Sequence, residues 1–254
     1  MAYPDTKILC PWCTKGVVGS QFEEHARIHT EKKGLTAIIL AGGKGTRLAP
    51  FPSPKCLLPV NGIPIIHRLL EHLLDTHKEY VSQAVICTGY RAGDIERAVG
   101  LDDNIKFSNA GVEASMGKRL LYAREMVLGR VLVCYADDMA NVDIAKLVAA
   151  HESHEGAVGV TFTAALSKIP GGMINFGDKK RIITENESAL MNIGFALSEP
   201  ECWKVREPDD GLSDWINKVE AHPELPGVAV YVHEGKRATV NSLADLAAAE
   251  EIFR

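Results

Sequence analysis

The chain has 254 residues, of which 46% are hydrophobic and 24% are charged, so it can bury a large core and has room for one large domain plus a small appendage. A formal net charge of −5 argues against a broad electrostatic grip on nucleic acid, which usually requires a basic face. No apolar run approaches the roughly 20 residues of a membrane span, and the first residues lack the apolar segment of a signal peptide, so we expect a cytoplasmic protein.

The first 33 residues contain a metal-ligand pattern. Cys10 and Cys13 are followed by His25 and His29, which gives the spacing Cys-x2-Cys-x11-His-x3-His. Two thiolates and two imidazoles suit the tetrahedral coordination of Zn²⁺, and the two histidines are one helical turn apart. We predict a Cys2His2-type zinc finger over residues 1–33. The alternative is that these thiols and imidazoles hold no metal.

The helix expected in this appendage begins with two acidic residues, because residues 21–24 read Gln-Phe-Glu-Glu. A helix that reads DNA needs basic or polar side chains at its start, and a single finger buries too little surface for specific affinity. We therefore do not expect nucleic acid as a partner. A role in stability, oligomer formation or partner docking is favoured.

A short charged stretch, Glu31-Lys32-Lys33, ends in Gly34 and separates the appendage from an alternating pattern of strands and helices. We place a domain boundary there, which gives domains over residues 1–33 and 34–254. Hydrophobic periodicity predicts strands at residues 36–40, 84–88, 105–107 and 131–135. It predicts helices at residues 64–75, 92–99, 118–127 and 142–151. This order indicates an α/β fold with a Rossmann-like, mostly parallel mixed sheet, whose ligands lie at the carboxyl ends of the strands.

From residue 158 onward the pattern becomes richer in strands. Strands are predicted at residues 173–176, 181–184, 191–197 and 228–232, and helices at residues 212–219 and 242–253. We expect this second half to form the acceptor side of the cleft.

A glycine-rich turn follows the first strand of the large domain. Residues 37–48 read Ala-Ile-Ile-Leu-Ala-Gly-Gly-Lys-Gly-Thr-Arg-Leu, and Lys55 follows shortly after. Glycines at the end of a buried strand let backbone amides approach an anion, and Arg47 and Lys55 supply positive charge. The spacing differs from that of a P-loop and from a dinucleotide fingerprint. Alone, the loop fits a tight strand-to-helix turn equally well; with both cations it predicts a triphosphate cradle.

The longer run resembles the signature of sugar-phosphate nucleotidylyltransferases, because the glycines are followed by Thr46-Arg47-Leu48, Pro54-Lys55, Pro59-Val60 and Gly62-Ile63-Pro64-Ile65. The resemblance implies Mg²⁺-dependent transfer of a nucleotidyl group from a nucleoside triphosphate to a phosphorylated small molecule. It implies that Arg47, Lys55 and Asp137 are catalytic. The residues that it assigns to nucleotide binding are Leu40, Ala41, Gly42, Gly43, Gly45, Thr46, Gly111, Ser115 and Gly117.

Two further segments resemble those of glucose-1-phosphate cytidylyltransferases. Residues 109–120 are similar to the segment of that group that reads roughly Asp-Thr-Gly, three positions, Met-Thr-Gly-Gly-Arg. Residues 135–144 are similar to its Tyr-Gly-Asp-Gly strand end and the Val-Asp-Ile that follows. The resemblance implies CTP as the nucleotide, with another pyrimidine nucleotide as the alternative.

The expected magnesium site lies where the predicted strand 131–135 ends. Asp137 is our first choice as ligand and Asp138 is the neighbouring alternative, since carboxylate oxygens suit Mg²⁺. The family normally provides a second carboxylate near the C-terminal end. In this chain that acid aligns with Asn241 or, in another alignment, with Thr239. The carbonyl oxygen of Asn241 is the second ligand that we predict.

The acceptor side departs from the family in the same way. Glu185-Asn186-Glu187 lies where the family commonly has Glu-Lys-Pro, so we assign Glu185 to the substrate site without the usual lysine. The basic run 179–181, Lys-Lys-Arg, is a possible replacement. Asn192 and Gly194 resemble the strand that contacts the sugar, although Gly194 fits an ordinary strand bulge almost as well.

Three functions follow from these patterns. The first is a cytidylyltransferase that activates a sugar phosphate or a similar phosphorylated molecule. The second is a non-catalytic sensor of nucleotide or sugar nucleotide that acts through the zinc finger, because two expected side chains are absent. The third, a nucleic-acid regulator, conflicts with the acidic net charge. Family members often assemble as oligomers, and the resemblance extends that expectation to this chain.

Overall fold

A computed structural model describes residues 7–9, 16–18, 21, 34–45, 53–127, 129–153, 158–168, 172–176, 179–183 and 188–254. Its strands, in chain order, are β1 (Lys7–Leu9), β2 (Gly16–Val18), β3 (Leu35–Leu40), β4 (Pro59–Val60), β5 (Ile63–Pro64), β6 (Val81–Thr88), β7 (Ile105–Asn109), β8 (Val131–Tyr135), β9 (Asp138–Ala140), β10 (Val158–Lys168), β11 (Gly172–Phe176), β12 (Lys179–Ile183), β13 (Ser188–Ser198), β14 (Gly227–Val232) and β15 (Arg237–Thr239).

The helices are α1 (Ile65–Leu70), α2 (Ala92–Val99), α3 (Met116–Arg124), α4 (Ile144–Glu152), α5 (Leu212–Ala221) and α6 (Leu243–Ile252). Residues 55–57 and 200–205 form short 3-10 helices. In the part of the chain that the structure describes, none of the helices combines the length and the apolar character that crossing a membrane requires.

A seven-stranded sheet in the order β14-β10-β13-β8-β3-β6-β7 forms the centre of the fold. Strands β3, β6, β7 and β8 pair in parallel, and β14 pairs in parallel with β10. Strand β13 is antiparallel to both of its neighbours, so it runs against the other six. The prediction of a mostly parallel mixed sheet is confirmed.

Both faces of the sheet are buried. Successive side chains of a strand point to opposite faces, so neighbouring residues of β3 pack into different core clusters. Ala37 and Ile39 of β3 belong to one core cluster with apolar residues of α1 and α4. Ile38 belongs to a second cluster with apolar residues of α3 and α5. All three side chains are fully buried, which explains why β3 reads as an uninterrupted apolar run.

The first predicted helix of the large domain, residues 64–75, differs from the structure. An α-helix covers Ile65–Leu70, and the chain then continues as a π-helix over Glu71–Thr76. A π-helix differs from an α-helix in its i→i+5 hydrogen bonds, and six residues are too few for side-chain periodicity to distinguish the two. The predicted helix is therefore present, and its second half is a π-helix.

The strands β1 and β2 near the N-terminus form an antiparallel hairpin, in which Ile8 is paired with Val17. Six further short strands form three small two-stranded sheets: β4 with β5, β9 with β15, and β11 with β12. The second of these sheets brings the C-terminal segment next to the end of β8. It thereby places residues 237–241 beside Asp137 and Asp138.

Candidate functional site

A cavity of about 700 Å³ opens at the carboxyl ends of β3 and β8. This is the edge of the sheet where parallel α/β folds bind their ligands. The glycine turn after β3 forms one wall, and the loop after β7 and the start of α3 form another. The predicted site residues that line it are Leu40, Ala41, Gly42, Gly43, Gly45, Lys55, Asp137 and Asn241.

Three polar side chains meet on one side of this cavity. Lys55 Nζ forms an ion pair with Asp137 Oδ2 and donates a hydrogen bond of 2.8 Å to Asn241 Oδ1. They come from the 3-10 helix after the glycine turn, from the end of β8 and from the segment after β15. The Lys55 side chain is 15% exposed and that of Asp137 is 33% exposed, so water reaches the carboxylate from the cavity.

Asp138, the neighbouring alternative, points elsewhere. Its carboxylate accepts a hydrogen bond from Thr239 Oγ1, and the residue is 7% exposed. Burial raises the pKa of the Asp138 carboxyl to about 6, and the nearby Asp137 adds to the increase. Of the two carboxylates, Asp137 is the one that faces the cavity. Of the two C-terminal alternatives, Asn241 lines the cavity and Thr239 contacts Asp138.

Arg119 is a cavity residue that sequence reasoning missed. It is 6% exposed, and it donates hydrogen bonds from Nη1 to Thr88 O at 2.6 Å and from Nη2 to Val112 O at 2.9 Å. These carbonyls belong to the end of β6 and to the loop after β7. Burial lowers the pKa of the guanidinium, which nevertheless stays charged at physiological pH because an arginine titrates so high. A fixed cation therefore stands beside the glycine turn.

An ion pair that was not predicted from the sequence also lines the cavity. Lys44 Nζ, in the glycine turn, lies 2.6 Å from Glu113 Oε1, in the loop after β7. The two side chains are 45% and 82% exposed, so the pair contributes little to stability. Lys44 lies between Gly43 and Gly45, which were both predicted to bind nucleotide, and this position could have identified it.

Cys56 and Tyr135 line the cavity but are poorly suited to proton transfer or nucleophilic attack. Burial raises the pKa of the Cys56 thiol to about 12 and that of the Tyr135 hydroxyl to about 12. Both groups therefore stay protonated at neutral pH. The chemistry that this cavity supports is charge neutralisation and positioning rather than covalent catalysis.

Three residues predicted to bind nucleotide lie next to the cavity and do not line it. Gly111 has φ +96° in the loop after β7. Ser115 caps α3 by accepting a hydrogen bond of 3.1 Å from the Lys118 amide. Gly117 packs against the backbone of residues 207–210, where a Cβ would lie 2.7 Å from Asp210 O. Their neighbours Val112, Ala114 and Met116 line the cavity instead.

Asn192 and Gly194 of the predicted acceptor side lie on β13, and neither lines the cavity. Asn192 Oδ1 accepts a hydrogen bond of 2.8 Å from the amide of Gly194. Gly194 has φ +80° and contacts Asp138 and Tyr135, so that a Cβ there would lie 3.0 Å from Tyr135 Cβ. The structure thus gives both residues a local role in shaping the strand behind Asp138.

Several predicted residues lie outside the part of the chain that the structure describes: Cys10, Cys13, His25, His29, Thr46, Arg47 and Glu185. The zinc site and the second predicted phosphate cation consequently remain predictions. Within the described ranges, no group of three or more His, Cys, Asp or Glu side chains is arranged to hold a metal ion.

The oxygen atoms of Asp137 and Asn241 are nevertheless compatible with Mg²⁺. This ion prefers oxygen ligands and is often bound by one or two carboxylates together with substrate phosphates. Both oxygens converge on the Lys55 ammonium, which shows that they already form a position for a cation. The donor set therefore fits Mg²⁺ when a phosphate supplies further oxygens.

Comparison with known proteins agrees with this geometry. The chain is 24% identical over 242 residues to the "Probable glucose-1-phosphate cytidylyltransferase" of Bacillus subtilis, which covers 84% of this chain and 93% of that protein. It is 28% identical over 219 residues to the "Bifunctional protein GlmU" of Methanococcus vannielii, covering 76% of this chain and 50% of that longer protein. The chain therefore spans about half the length of the latter relative.

Among solved structures, that of HddC from Yersinia pseudotuberculosis complexed with GMP-PN matches with a TM-score of 0.63 at 19% identity, over 87% of this chain and 100% of that one. At this identity the likeness shows the fold alone. The model of the MobA-like NTP transferase domain matches residues 37–171, which is more than half of the chain and includes the glycine turn, Lys55, Arg119 and Asp137. The chain belongs to the family of MobA-like NTP transferase domains.

Proposed function

We propose that this protein is a Mg²⁺-dependent nucleotidylyltransferase that transfers a nucleotidyl group from CTP to a sugar phosphate or a similar phosphorylated small molecule and releases pyrophosphate. The single observation that carries the proposal is the meeting of Lys55, Asp137 and Asn241 opposite the glycine turn, in a cavity of about 700 Å³. A cavity of this size suits a ligand such as a nucleotide.

The proposed reaction is an in-line substitution at the α-phosphorus. A phosphate oxygen of the acceptor forms a bond to this phosphorus, and the bond from the phosphorus to the oxygen that bridges to the β-phosphate breaks. No general base is needed, because a phosphate monoester with a second pKa of about 6 is already a dianion near neutral pH. Catalysis then depends on holding the two substrates in line and on neutralising their charge.

In this proposal the residues have separate tasks. Lys55 lies at the junction of the two substrates and contacts the α-phosphate and the incoming phosphate. The glycine turn presents its backbone amides to the triphosphate, and Arg47 neutralises the β- and γ-phosphates. Arg119 holds the loops of the nucleotide side together through the carbonyls of Thr88 and Val112.

Asp137 and Asn241 are the residues that would hold Mg²⁺, since their side-chain oxygens face the cavity. When bound, this ion supplies Lewis-acid neutralisation of phosphate charge. Asn241 keeps an oxygen at this position without adding a second negative charge. The proposal rests on the family pattern, and this neutral side chain is the main difference from that pattern.

The choice of CTP rests on sequence. Residues 109–120 and 135–144 resemble segments of glucose-1-phosphate cytidylyltransferases, and the relative from Bacillus subtilis has that name. The names of other relatives refer to other substrates; a relative from Sulfolobus acidocaldarius, for example, is named as a guanyltransferase of mannose 1-phosphate. The nucleotide must consequently be measured.

Calorimetric titration of CTP, UTP, dTTP, ATP and GTP into the protein, with and without Mg²⁺, tests the proposal without any assumption about the acceptor. We expect CTP to bind most tightly and to require Mg²⁺.

Pyrophosphate release with a panel of sugar phosphates then identifies the acceptor. Lys55→Met should abolish release, whereas Lys146→Met, which changes an exposed lysine on α4, should leave it unchanged.

The neutral Asn241 also supports a second candidate, a sensor that binds nucleotide or sugar nucleotide without turnover. Nucleotide binding with no pyrophosphate release from any acceptor would favour this candidate. Absence of binding by all five nucleotides would contradict the nucleotidylyltransferase, and titration of sugar nucleotides would then test the sensor.

We also propose that residues 1–33 form a separate domain that binds one Zn²⁺ through Cys10, Cys13, His25 and His29. The support is the ligand spacing and the hairpin of β1 and β2, whose strands flank the two cysteines in sequence. Metal analysis of protein purified without chelator tests it. Less than about one zinc per chain would contradict the proposal, because such sites bind zinc tightly.

A further inference from the structure

The ammonium group of Lys55 occupies the position toward which both proposed magnesium ligands point. Lys55 Nζ forms an ion pair with Asp137 Oδ2 and lies 2.8 Å from Asn241 Oδ1. A divalent ion bound to the same two oxygens would lie next to the ammonium, and the two cations would repel each other. This pair of oxygens therefore binds one cation at a time unless a ligand brings further negative charge into the cavity.

The charges of these three side chains balance when nothing else is bound. Asp137 contributes one negative charge, Lys55 one positive charge and Asn241 none. Adding Mg²⁺ alone would leave two uncompensated positive charges in a half-buried site, which is unfavourable. Adding Mg²⁺ together with a triphosphate brings more negative charge than the ion brings positive charge.

The nearest acidic residue of the C-terminal segment does not supply the missing negative charge. Asp245 Oδ2 accepts a hydrogen bond of 2.9 Å from the backbone amide of Asn241, and the Asp245 amide donates to Ser242 Oγ at the start of α6. This carboxylate is thus part of the helix cap. Asp138 accepts a hydrogen bond from Thr239 Oγ1 and lines a second pocket instead of this cavity.

From this balance we propose that Lys55 occupies the cation position in the nucleotide-free protein, so that a divalent ion binds only together with the triphosphate. The phosphates draw the Lys55 ammonium away from Asp137 and Asn241, and the oxygens that it leaves become available to the ion. Asn241 is the positioning residue that makes this exchange necessary, because a second carboxylate there would hold both cations at once. The role of the triphosphate in this exchange rests on the proposed function.

The test measures binding of Mn²⁺ alone, in the absence of any nucleotide, by the loss of the electron paramagnetic resonance signal of the free ion. The wild-type protein should bind Mn²⁺ weakly. Lys55→Met should bind it at least 10-fold more tightly, because the competing ammonium is gone. Asn241→Asp should do the same with Lys55 still present, because it adds the missing negative charge.

Lys44→Met is the matched control, since it removes a lysine that lines the same cavity but is paired with Glu113. Its Mn²⁺ affinity should stay within about twofold of the wild type. Circular dichroism and thermal unfolding establish that each variant is folded. If the Lys55→Met variant does not fold, Lys55→Gln replaces it.

The proposal is overturned if the wild-type protein binds Mn²⁺ as tightly as Lys55→Met does, or if neither Lys55→Met nor Asn241→Asp gains affinity. An equal gain in Lys44→Met would also overturn it, because loss of any nearby positive charge would then suffice. These outcomes are independent of the proposed function, because no nucleotide or acceptor is present. If removal of Lys55 increases Mn²⁺ affinity but the protein binds no nucleotide, competition between Lys55 and the metal ion is supported and the proposed enzymatic function is contradicted.

Discussion

Gly42 lies directly against the guanidinium of Arg119, so closely that a Cβ on residue 42 would overlap it. The same Cβ would lie 2.8 Å from Thr88 O, the carbonyl to which Arg119 donates. The glycine turn, the end of β6 and helix α3 therefore meet at one point. The absence of a side chain at position 42 is what lets a buried arginine stand behind the turn.

Replacement of Gly42 by alanine should destabilise the protein because the added methyl group overlaps both Arg119 and the backbone of Thr88. Overpacking of this kind costs about 1–3 kcal/mol. Urea unfolding of the nucleotide-free protein measures the change. Gly43→Ala is the matched control, since a Cβ there meets nothing within 4 Å. Equal stability of the two variants would contradict this account of the contact.

Arg119→Lys should also destabilise the protein and weaken nucleotide binding. A lysine has one point charge in place of the planar fork that reaches Thr88 O and Val112 O together. Loss of one charged hydrogen bond costs about 1.5–3 kcal/mol. Urea unfolding and nucleotide titration measure the two effects. Arg97→Lys, at a residue whose side chain is 78% exposed, should change neither.

Much of the fold could be predicted because buried parallel strands and amphipathic helices leave strong local patterns. Helix α2 and strand β8 have the predicted bounds, and β3 begins one residue early. The short strands β9 and β15 escaped prediction. Their pairing joins residues about 100 positions apart, and a three-residue strand has too few side chains for an alternating pattern.

The site was predictable where chemistry is concentrated in a short segment, and less so where it depends on tertiary packing. The glycine turn, Lys55 and Asp137 are recognisable from the motif, and they line the cavity together. Arg119 reads as an ordinary polar residue of a helix, because its burial depends on carbonyls of two distant loops. The choice between Asp137 and Asp138 depends on the direction of each side chain, which sequence does not encode locally.

Asp137→Asn should reduce the rate of pyrophosphate release by at least 10²-fold. The substitution keeps the shape of the side chain but removes the negative charge that pairs with Lys55 and that we propose as a magnesium ligand. Losses of this size are typical when one electrostatic group of a preorganised site is removed. Steady-state kinetics at saturating nucleotide measure it. Asp209→Asn, at an exposed carboxylate, is the control, and a near-normal rate for Asp137→Asn would remove this residue from the mechanism.

Gly194→Ala should destabilise the protein by at least about 1–2 kcal/mol, because φ at this position is +80° and a Cβ would overlap the carboxylate of Asp138. Gly93→Ala is the matched control: residue 93 lies in α2, and a Cβ there meets nothing within 4 Å. That variant should be more stable than the wild type by about 0.5–1 kcal/mol, since alanine favours a helix over glycine. Thermal unfolding compares the two, and a stable Gly194→Ala protein would mean that β13 can relax at this point.

A charged network that does not line the cavity joins His151 of α4 to Arg130, just before β8, and to Glu199, just after β13. Glu199 Oε1 accepts a hydrogen bond of 2.6 Å from Arg130 Nε and lies 3.2 Å from His151 Nε2. His151 is 3% exposed, and its Nδ1 lies 2.8 Å from Thr161 Oγ1. Burial acts to raise the pKa of the Glu199 carboxyl, but the contacts with His151 and Arg130 outweigh it and hold this pKa below its ordinary value of 4.5.

The lowered pKa of Glu199 predicts a pH-dependent contribution to stability. A carboxyl with a lower pKa in the folded state stabilises the fold above its unfolded pKa of 4.5, and this stabilisation is lost as the pH falls through the folded value. Glu199→Gln should therefore lower the free energy of unfolding by about 1–3 kcal/mol at pH 7, with a difference that shrinks as the pH falls below about 4.5. Urea unfolding at pH 7, 5 and 4 measures it. Glu207→Gln, which removes an exposed partner of Lys218, should stay within about 0.5 kcal/mol of the wild type. A Glu199→Gln difference that is constant across this range would show that the side chain acts through packing rather than through its charge.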